Sequence, residues 1–96
     1  MARLMEFSET LKPFEKIEQE INFEDEKQQV YFEQKKGNPK RLVSFFDEDN
    51  KEVMSRELPE SAFIKPYTNK AKIFIVNQTE KEMKVEFKIV AGVRVI

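Results

Sequence analysis

The stretch EMKVEFKI at residues 82–89 alternates strictly between charged and apolar side chains. A period of two is the repeat of a β-strand, and so clean an alternation indicates an antiparallel strand with one face in a core. The face expected to be buried carries Met83, Val85, Phe87 and Ile89. The face expected to be exposed carries Lys84, Glu86 and Lys88.

Shorter stretches with the same period, or with β-branched and aromatic residues, extend the strand prediction along the chain. They are residues 29–34, 41–46, 52–58 and 71–76, with 93–96 as a possible sixth strand. Polar or Gly/Pro-containing turns at 35–40, 47–51 and 77–81 separate them. We therefore expect hairpins, including an antiparallel pair of 71–76 and 82–89, and a single helical turn at 59–64.

The segment 10–22 has a different spacing. Leu11, Phe14, Ile17 and Ile21 recur at the intervals of an amphipathic helix, and Pro13 would lie in the first helical turn. A closed or nearly closed barrel would protect the edges of the predicted strands.

Five or six short strands with tight turns and one helix predict a mainly β fold. It would be a small antiparallel OB-like barrel of five to six strands with one short N-terminal helix.

Length and composition suit a single domain over residues 1–96, with an acidic, partly helical lead segment at 1–26 and a β-rich body at 28–96. The chain has no cysteine and no histidine, which removes disulfides, thiolate metal sites and the commonest general base. We therefore expect no enzymatic activity and no metal or other cofactor. Without a signal-peptide core or a membrane-length apolar run, the expected location is cytoplasmic.

Charge is unevenly distributed, although the net charge is only −1. Residues 1–34 carry four basic and nine acidic side chains, whereas residues 35–96 carry thirteen basic and nine acidic ones. This asymmetry fits a polyanionic partner, although charges also simply solvate exposed faces. The acidic run Asp47-Glu48-Asp49 lacks the ligand spacing and the central glycine of a calcium loop, so we interpret it as a solvated turn.

Two basic clusters lie beside aromatic residues. Single-strand nucleic-acid binders combine these features, because cations contact phosphates while aromatic rings stack on bases. The predicted nucleic-acid-binding residues are Lys35, Lys36, Lys40 and Arg41 around a Gly-Asn-Pro turn, and Lys65, Tyr67, Lys70 and Lys72. The alternative for the first cluster is a solvated hairpin tip. Neighbours on a strand face opposite sides, so only one of Phe45 and Phe46 can point into the core. The other is a candidate stacking platform.

The segment LPESAFIKPYTNKAKIFIVN at 58–77 resembles the YdcP-like family, small proteins encoded by conjugative transposons of Gram-positive bacteria. The family shows a Leu/Ile-Pro pair, a basic residue followed by an aromatic one, and a strand that ends in an aliphatic residue and Asn. Here these are Leu58-Pro59, Lys65, Tyr67 and Val76-Asn77. The tail at 87–96 is similar to the family's closing pattern. The resemblance implies a small OB-like barrel and a role in mobile-element DNA processing or transfer.

The sequence thus predicts a non-catalytic accessory protein of a conjugative mobile element. It would bind single-stranded DNA, or a helicase or relaxase complex that works on it, during element unwinding and transfer. The alternative is a protein–protein interaction module without nucleic-acid affinity, whose acidic N-terminal segment docks on a basic partner. A regulatory or structural phage-type protein is a third reading. The acidic first third argues against strong DNA binding, because carboxylates repel phosphates.

Overall fold

The computed structural model describes residues 2–94, which form strands and loops without a helix. The strands are β1 (Arg3–Leu11), β2 (Lys16–Asn22), β3 (Gln28–Lys36), β4 (Lys40–Phe46), β5 (Glu52–Glu57), β6 (Ser61–Ile64), β7 (Lys70–Val76) and β8 (Met83–Arg94). They build two four-stranded antiparallel sheets: sheet A, in the order β1-β8-β3-β6, and sheet B, in the order β2-β7-β4-β5. Residues 2–94 contain no helix that is long and apolar enough to cross a membrane.

The strands pair as one long antiparallel ribbon that is folded over on itself. From the turn at 47–51 outward, β4 pairs with β5, β3 with β6, β2 with β7 and β1 with β8. Two further pairings, β3 with β8 and β4 with β7, join the folded ribbon into the two sheets. This strand order is that of an eight-stranded jelly-roll sandwich. The mainly β prediction is confirmed, but residues 2–94 form eight strands, and their two sheets are not closed into a barrel.

One hydrophobic core lies between the two sheets. As predicted, Val85, Phe87 and Ile89 are buried in β8, and Lys84 is exposed. Met83 is only half-buried at the strand's beginning. The outward Glu86 and Lys88 are half-buried instead of exposed, because β8 is an inner strand of sheet A with β1 and β3 on either side.

The predicted helix at 10–22 is wrong, so the lead segment is not partly helical. Its residues form the end of β1, a turn at 12–15 and β2. Leu11, Ile17 and Ile21 lie an even number of residues apart, so their spacing fits a strand as well as a helix. Phe14 breaks the strand period and is 66% exposed. With Pro13 before it and a φ of +62°, it completes a type II turn closed by Glu15 N–H donating to the Lys12 carbonyl.

Most of the predicted hairpins are also wrong. Strands β7 and β8 lie in different sheets, and so do β3 and β4, so the loops between them cross the sandwich. Only the turn at 47–51 joins two paired strands within the described chain. Residues 61–64 form β6 instead of a helical turn, and β8 continues through Gly92 to Arg94 without a separate strand. Residues 95–96 of the proposed sixth strand lie outside the described residues.

The Gly-Asn-Pro segment at 37–39 is therefore a crossing between sheets and not a hairpin tip. Pro39 is buried, and Gly37 has a φ of +84°. A Cβ atom on Gly37 would lie 2.6 Å from the carbonyl oxygen of Lys84. Both the left-handed backbone and the close approach to β8 require glycine at this position.

Asn77, directly after β7, is a buried connector between separate segments. Its side-chain nitrogen donates to the carbonyl oxygens of Leu11, Lys12 and Lys81. Its side-chain oxygen accepts from the backbone N–H and the hydroxyl of Thr79. Asn77 belongs to the motif that carries the family resemblance, and the structure gives it a role in holding the fold.

Candidate nucleic-acid interface

The two inner strands of sheet B, β7 and β4, turn every second side chain away from the core. Ala71, Ile73 and Ile75 of β7 are buried, as are Val43 and Phe45 of β4. The alternate residues form an outward face that we call the central lane. It consists of the half-buried Lys70, Lys72, Phe74, Val76, Lys40, Leu42 and Phe46, and of Ser44, which its neighbours cover to 2% exposure. The lane thus combines three lysines and two phenylalanines with no carboxylate.

Lysines and aromatic rings are in direct contact on this face. The Nζ atom of Lys72 lies 5.4 Å from the centre of the Phe46 ring. The Nζ atom of Lys16, on the neighbouring strand β2, lies 5.4 Å from the centre of the Phe74 ring. Exposed cation–π contacts are worth only about 0.5–1 kcal/mol, so an incoming phosphate can displace them at low cost. The rings and the cations are therefore both available to a ligand.

Carboxylates lie on the two edge strands of sheet B. Glu18 and Glu20 flank the lane on β2, and Glu52 and Glu57 flank it on β5. Lys16 pairs with Glu18 at 3.0 Å, and Lys40 pairs with Glu57 at 3.8 Å. A hydrogen bond from Lys16 and its positive charge lower the pKa of Glu18, so this carboxylate is ionised at neutral pH. The lane is thus a basic and aromatic surface between two acidic rims.

Lys70 and Lys72 have no salt bridge to any residue in the range 2–94, which distinguishes them from Lys16 and Lys40. In the same range, no three His, Asp or Glu side chains come together as a metal site. The chemistry that this face offers is therefore charge and stacking, from lysine and phenylalanine.

The structure brings together three of the predicted binding residues and separates the others. Lys40, Lys70 and Lys72 share the lane, although Lys40 is distant from the other two in sequence. Lys35 lies on the opposite side of the sandwich, in a shallow depression on sheet A with Glu86, and Lys36 pairs with Glu86 in the β3–β8 ladder. Arg41 shares the core-facing side of β4, where its Nε donates to the Leu58 carbonyl at 3.1 Å. The predicted basic lip is not formed.

Lys65 and Tyr67 lie in the loop between β6 and β7. Tyr67 is 64% exposed. Its ring and the Phe45 ring form an edge-to-face pair with their centres 6.1 Å apart. It lines an apolar cleft of about 200 Å³ that also contains Asp25 and Glu26. A hydrogen bond from the backbone N–H of Lys27 lowers the pKa of Asp25 below its ordinary value. A hydrogen bond from Arg94 and its positive charge lower this pKa further. Tyr67 therefore shares its cleft with negative charge.

Two members of the interface were missed or undecided at the level of sequence. The helix prediction for 10–22 does not place Lys16 on a sheet surface. The period-two pattern of KIEQEI, with Ile17 and Ile21 inward, indicates the strand and places Lys16 outward. Phe45 is fully buried and Phe46 is half-buried on the outward face, which confirms that only one of the pair enters the core and leaves Phe46 as the candidate platform.

Comparisons with protein-family models, with curated proteins and with solved structures found no match to this chain. The functional argument therefore depends on the geometry of the central lane.

Proposed function

We propose that the protein binds single-stranded DNA along the central lane of sheet B. The observation that carries this proposal is the contact of Lys72 with Phe46 inside a strip without carboxylates, together with the contact of Lys16 on the neighbouring strand with Phe74. Lys40, Lys70 and Lys72 would contact phosphates, while Phe46 and Phe74 would stack on bases. Stacking on a phenyl ring accepts every base, so most of this binding is independent of sequence.

The acidic rims limit the expected affinity. Glu18, Glu20, Glu52 and Glu57 repel a strand that leaves the lane, so they confine it without strengthening its binding. If Lys16, Lys40, Lys70 and Lys72 each neutralise one phosphate, the slope of log K against log salt is about −3. Binding is thus expected to be measurable at low ionic strength and to weaken steeply as salt increases.

The biological role that we propose is that of a cytoplasmic, non-catalytic accessory protein of a conjugative mobile element. The support for this role is the resemblance of residues 58–96 to the YdcP-like family. In this role the protein would hold single-stranded DNA during unwinding and transfer, alone or with a helicase or relaxase complex.

Charge reversal within the lane tests the proposal. We expect Lys70→Glu together with Lys72→Glu to weaken binding at least about tenfold, because two phosphate contacts become repulsive. The matched control is Lys35→Glu with Lys36→Glu, which changes the net charge equally on the far side of the sandwich and is expected to change binding less than about threefold. The measurement is fluorescence anisotropy of a labelled mixed-sequence oligonucleotide at low salt.

Two results would contradict the lane as the binding surface. The first is the absence of binding by the unmodified protein at protein concentrations of tens of micromolar. The second is an equal loss in both double variants, which would indicate attraction by overall charge. Thermal unfolding of both variants shows whether the folded state is retained.

A second candidate function is a protein–protein interaction module, and the Tyr67 cleft favours it. An exposed aromatic ring beside Asp25 and Glu26 suits an arginine or lysine side chain from a basic partner, through a cation–π contact and charge. In an NMR titration with an arginine-rich peptide, we expect shifts at residues 23–26 and 65–69 that disappear in Tyr67→Ser. Shifts that persist unchanged in that variant would remove the cleft as the docking site.

A further inference from the structure

The central lane deepens, at the end next to the turn at 47–51, into a recess of about 440 Å³. Its polar and aromatic walls come from three strands and the turn: Glu20, Asn22, Phe46, Asn50, Lys70 and Lys72. Ligand pockets in proteins measure roughly 300–1,000 Å³. The recess is therefore large enough for one small polar molecule or for one unit of a polymer.

A register shift and a tight turn of sheet B lie next to this recess. The β4–β5 ladder shifts register between Phe45 and Phe46, which is the position of a β-bulge. The following turn is held by the carboxylate of Asp47, which accepts the N–H groups of Asp49 and Lys51 at 2.9 Å each. Asn50 has a φ of +61°, a conformation that Asn adopts at lower cost than most residues. The turn places Asn50 at the rim of the recess, which Phe46 also lines.

The side chains of the recess are free to bind. Over residues 2–94, those of Glu20, Asn22, Asn50 and Lys70 make neither a hydrogen bond nor a salt bridge. The Nζ atom of Lys72 is engaged only with the Phe46 ring. Two cations, one ring face, two amides and one carboxylate thus line one space, in which a ligand would displace the Lys72–Phe46 contact. A nucleotide offers the complementary set: a phosphate, a base face and a base edge.

We propose that the recess holds one nucleotide of the bound strand and prefers a base with an exocyclic amine, such as cytosine, over thymine. This inference rests on the proposed function and adds a preference to it. Lys70 and Lys72 contact the phosphate, and Phe46 stacks on the base. The carboxylate of Glu20 accepts hydrogen bonds, so it pairs with the N4 amine of cytosine. Thymine presents only a carbonyl oxygen at that position and is disfavoured.

The test compares labelled oligodeoxycytidylate and oligothymidylate of equal length at pH 8 and low salt, by fluorescence anisotropy. We expect the unmodified protein to prefer the cytosine strand roughly fivefold, as one directional hydrogen bond allows. Glu20→Gln keeps the shape of the side chain and adds a donor that can serve the thymine carbonyl. We expect it to bind both strands more tightly and to lose the preference.

Glu18→Gln is the matched control, because it removes the same charge from the same strand outside the recess. It is expected to tighten both complexes and to keep the preference. Equal binding of the two strands by the unmodified protein overturns the recess proposal and leaves the lane intact. A preference that survives in Glu20→Gln also overturns it. Absence of binding to either strand overturns the proposed function itself, together with this inference.

Discussion

Replacement of Asn77 by alanine is expected to lower the free energy of unfolding by about 3–4 kcal/mol, a large share of the stability of so small a domain. Asn77 is fully buried, and its Nδ2 atom lies 3.2, 3.1 and 2.8 Å from the carbonyl oxygens of Leu11, Lys12 and Lys81. Alanine removes these hydrogen bonds, and those that Asn77 accepts from Thr79, and leaves a void. The Lys12 and Lys81 carbonyls keep a second donor, the N–H of Glu15 and the hydroxyl of Thr79. The expected loss is therefore the sum of several hydrogen bonds, each contributing about 0.5–1.5 kcal/mol, and not the cost of three orphaned carbonyls.

Asn77→Asp separates hydrogen bonding from packing, because the side chain keeps its size and loses both donor hydrogens. A carboxylate would face three carbonyl oxygens, so we expect a loss at least as large as that of the alanine variant. Gln78→Ala, at the exposed neighbouring position, is the control and should cost less than about 0.5 kcal/mol. Urea unfolding measures all three. A wild-type midpoint for Asn77→Asp would show that the donated hydrogen bonds do not hold the fold.

Phe87→Ala is expected to cost about 3–5 kcal/mol, the range for removal of a buried aromatic side chain. Phe87 is 1% exposed and stacks on Phe7 with ring centres 4.5 Å apart, and it also packs on Phe32 at 5.9 Å. Its ring therefore connects three adjacent strands of sheet A through the core. Removal leaves a cavity that the flanking rings can fill only in part.

Lys84→Ala on the same strand is the control for this variant, since Lys84 faces solvent. It should change the free energy of unfolding by less than about 0.5 kcal/mol. Equal losses in urea melts of the two variants would mean that the assignment of faces in β8 is wrong.

The sequence predicts which side of a strand faces the core better than it predicts the partner of that strand. The alternation at 82–89 and the choice between Phe45 and Phe46 depend only on the local period, and both follow from it. Pairing depends on residues far along the chain: β8 lies between β1 and β3, and no local pattern indicates either neighbour. The same local signal predicted hairpins at 35–40, 47–51 and 77–81, but only the strands around 47–51 pair, because β3 and β4, like β7 and β8, lie in different sheets.

In the candidate site, too, the direction of a side chain is predictable from the sequence, but the pairing of its strand is not. Alternate residues of a strand face opposite sides of the sheet, so Lys70 and Lys72 face outward because Ile73 and Ile75 face inward. This direction was predictable from odd and even positions along the strand. Parity also turns Arg41 toward the core together with Phe45, and this excludes Arg41 from any exposed basic lip. That Lys40 joins Lys70 and Lys72 on one face depends on the pairing of β4 with β7, and the recess depends on the pairing of β7 with both β2 and β4.

The folded ribbon has a consequence for how the chain reaches this structure. Only β4 and β5 can pair by closing a short loop, whereas Arg3 must find Ala91 across nearly the whole described chain. The entropy of closing long loops is lost before such contacts are gained, and sandwiches of this kind fold in milliseconds to seconds, not microseconds. Assembly would proceed outward from the turn at 47–51, so the outermost pair of strands, β1 with β8, would form last. Until it does, the apolar face of β8 would remain open to other chains, which makes the slow final step the point of greatest exposure to aggregation.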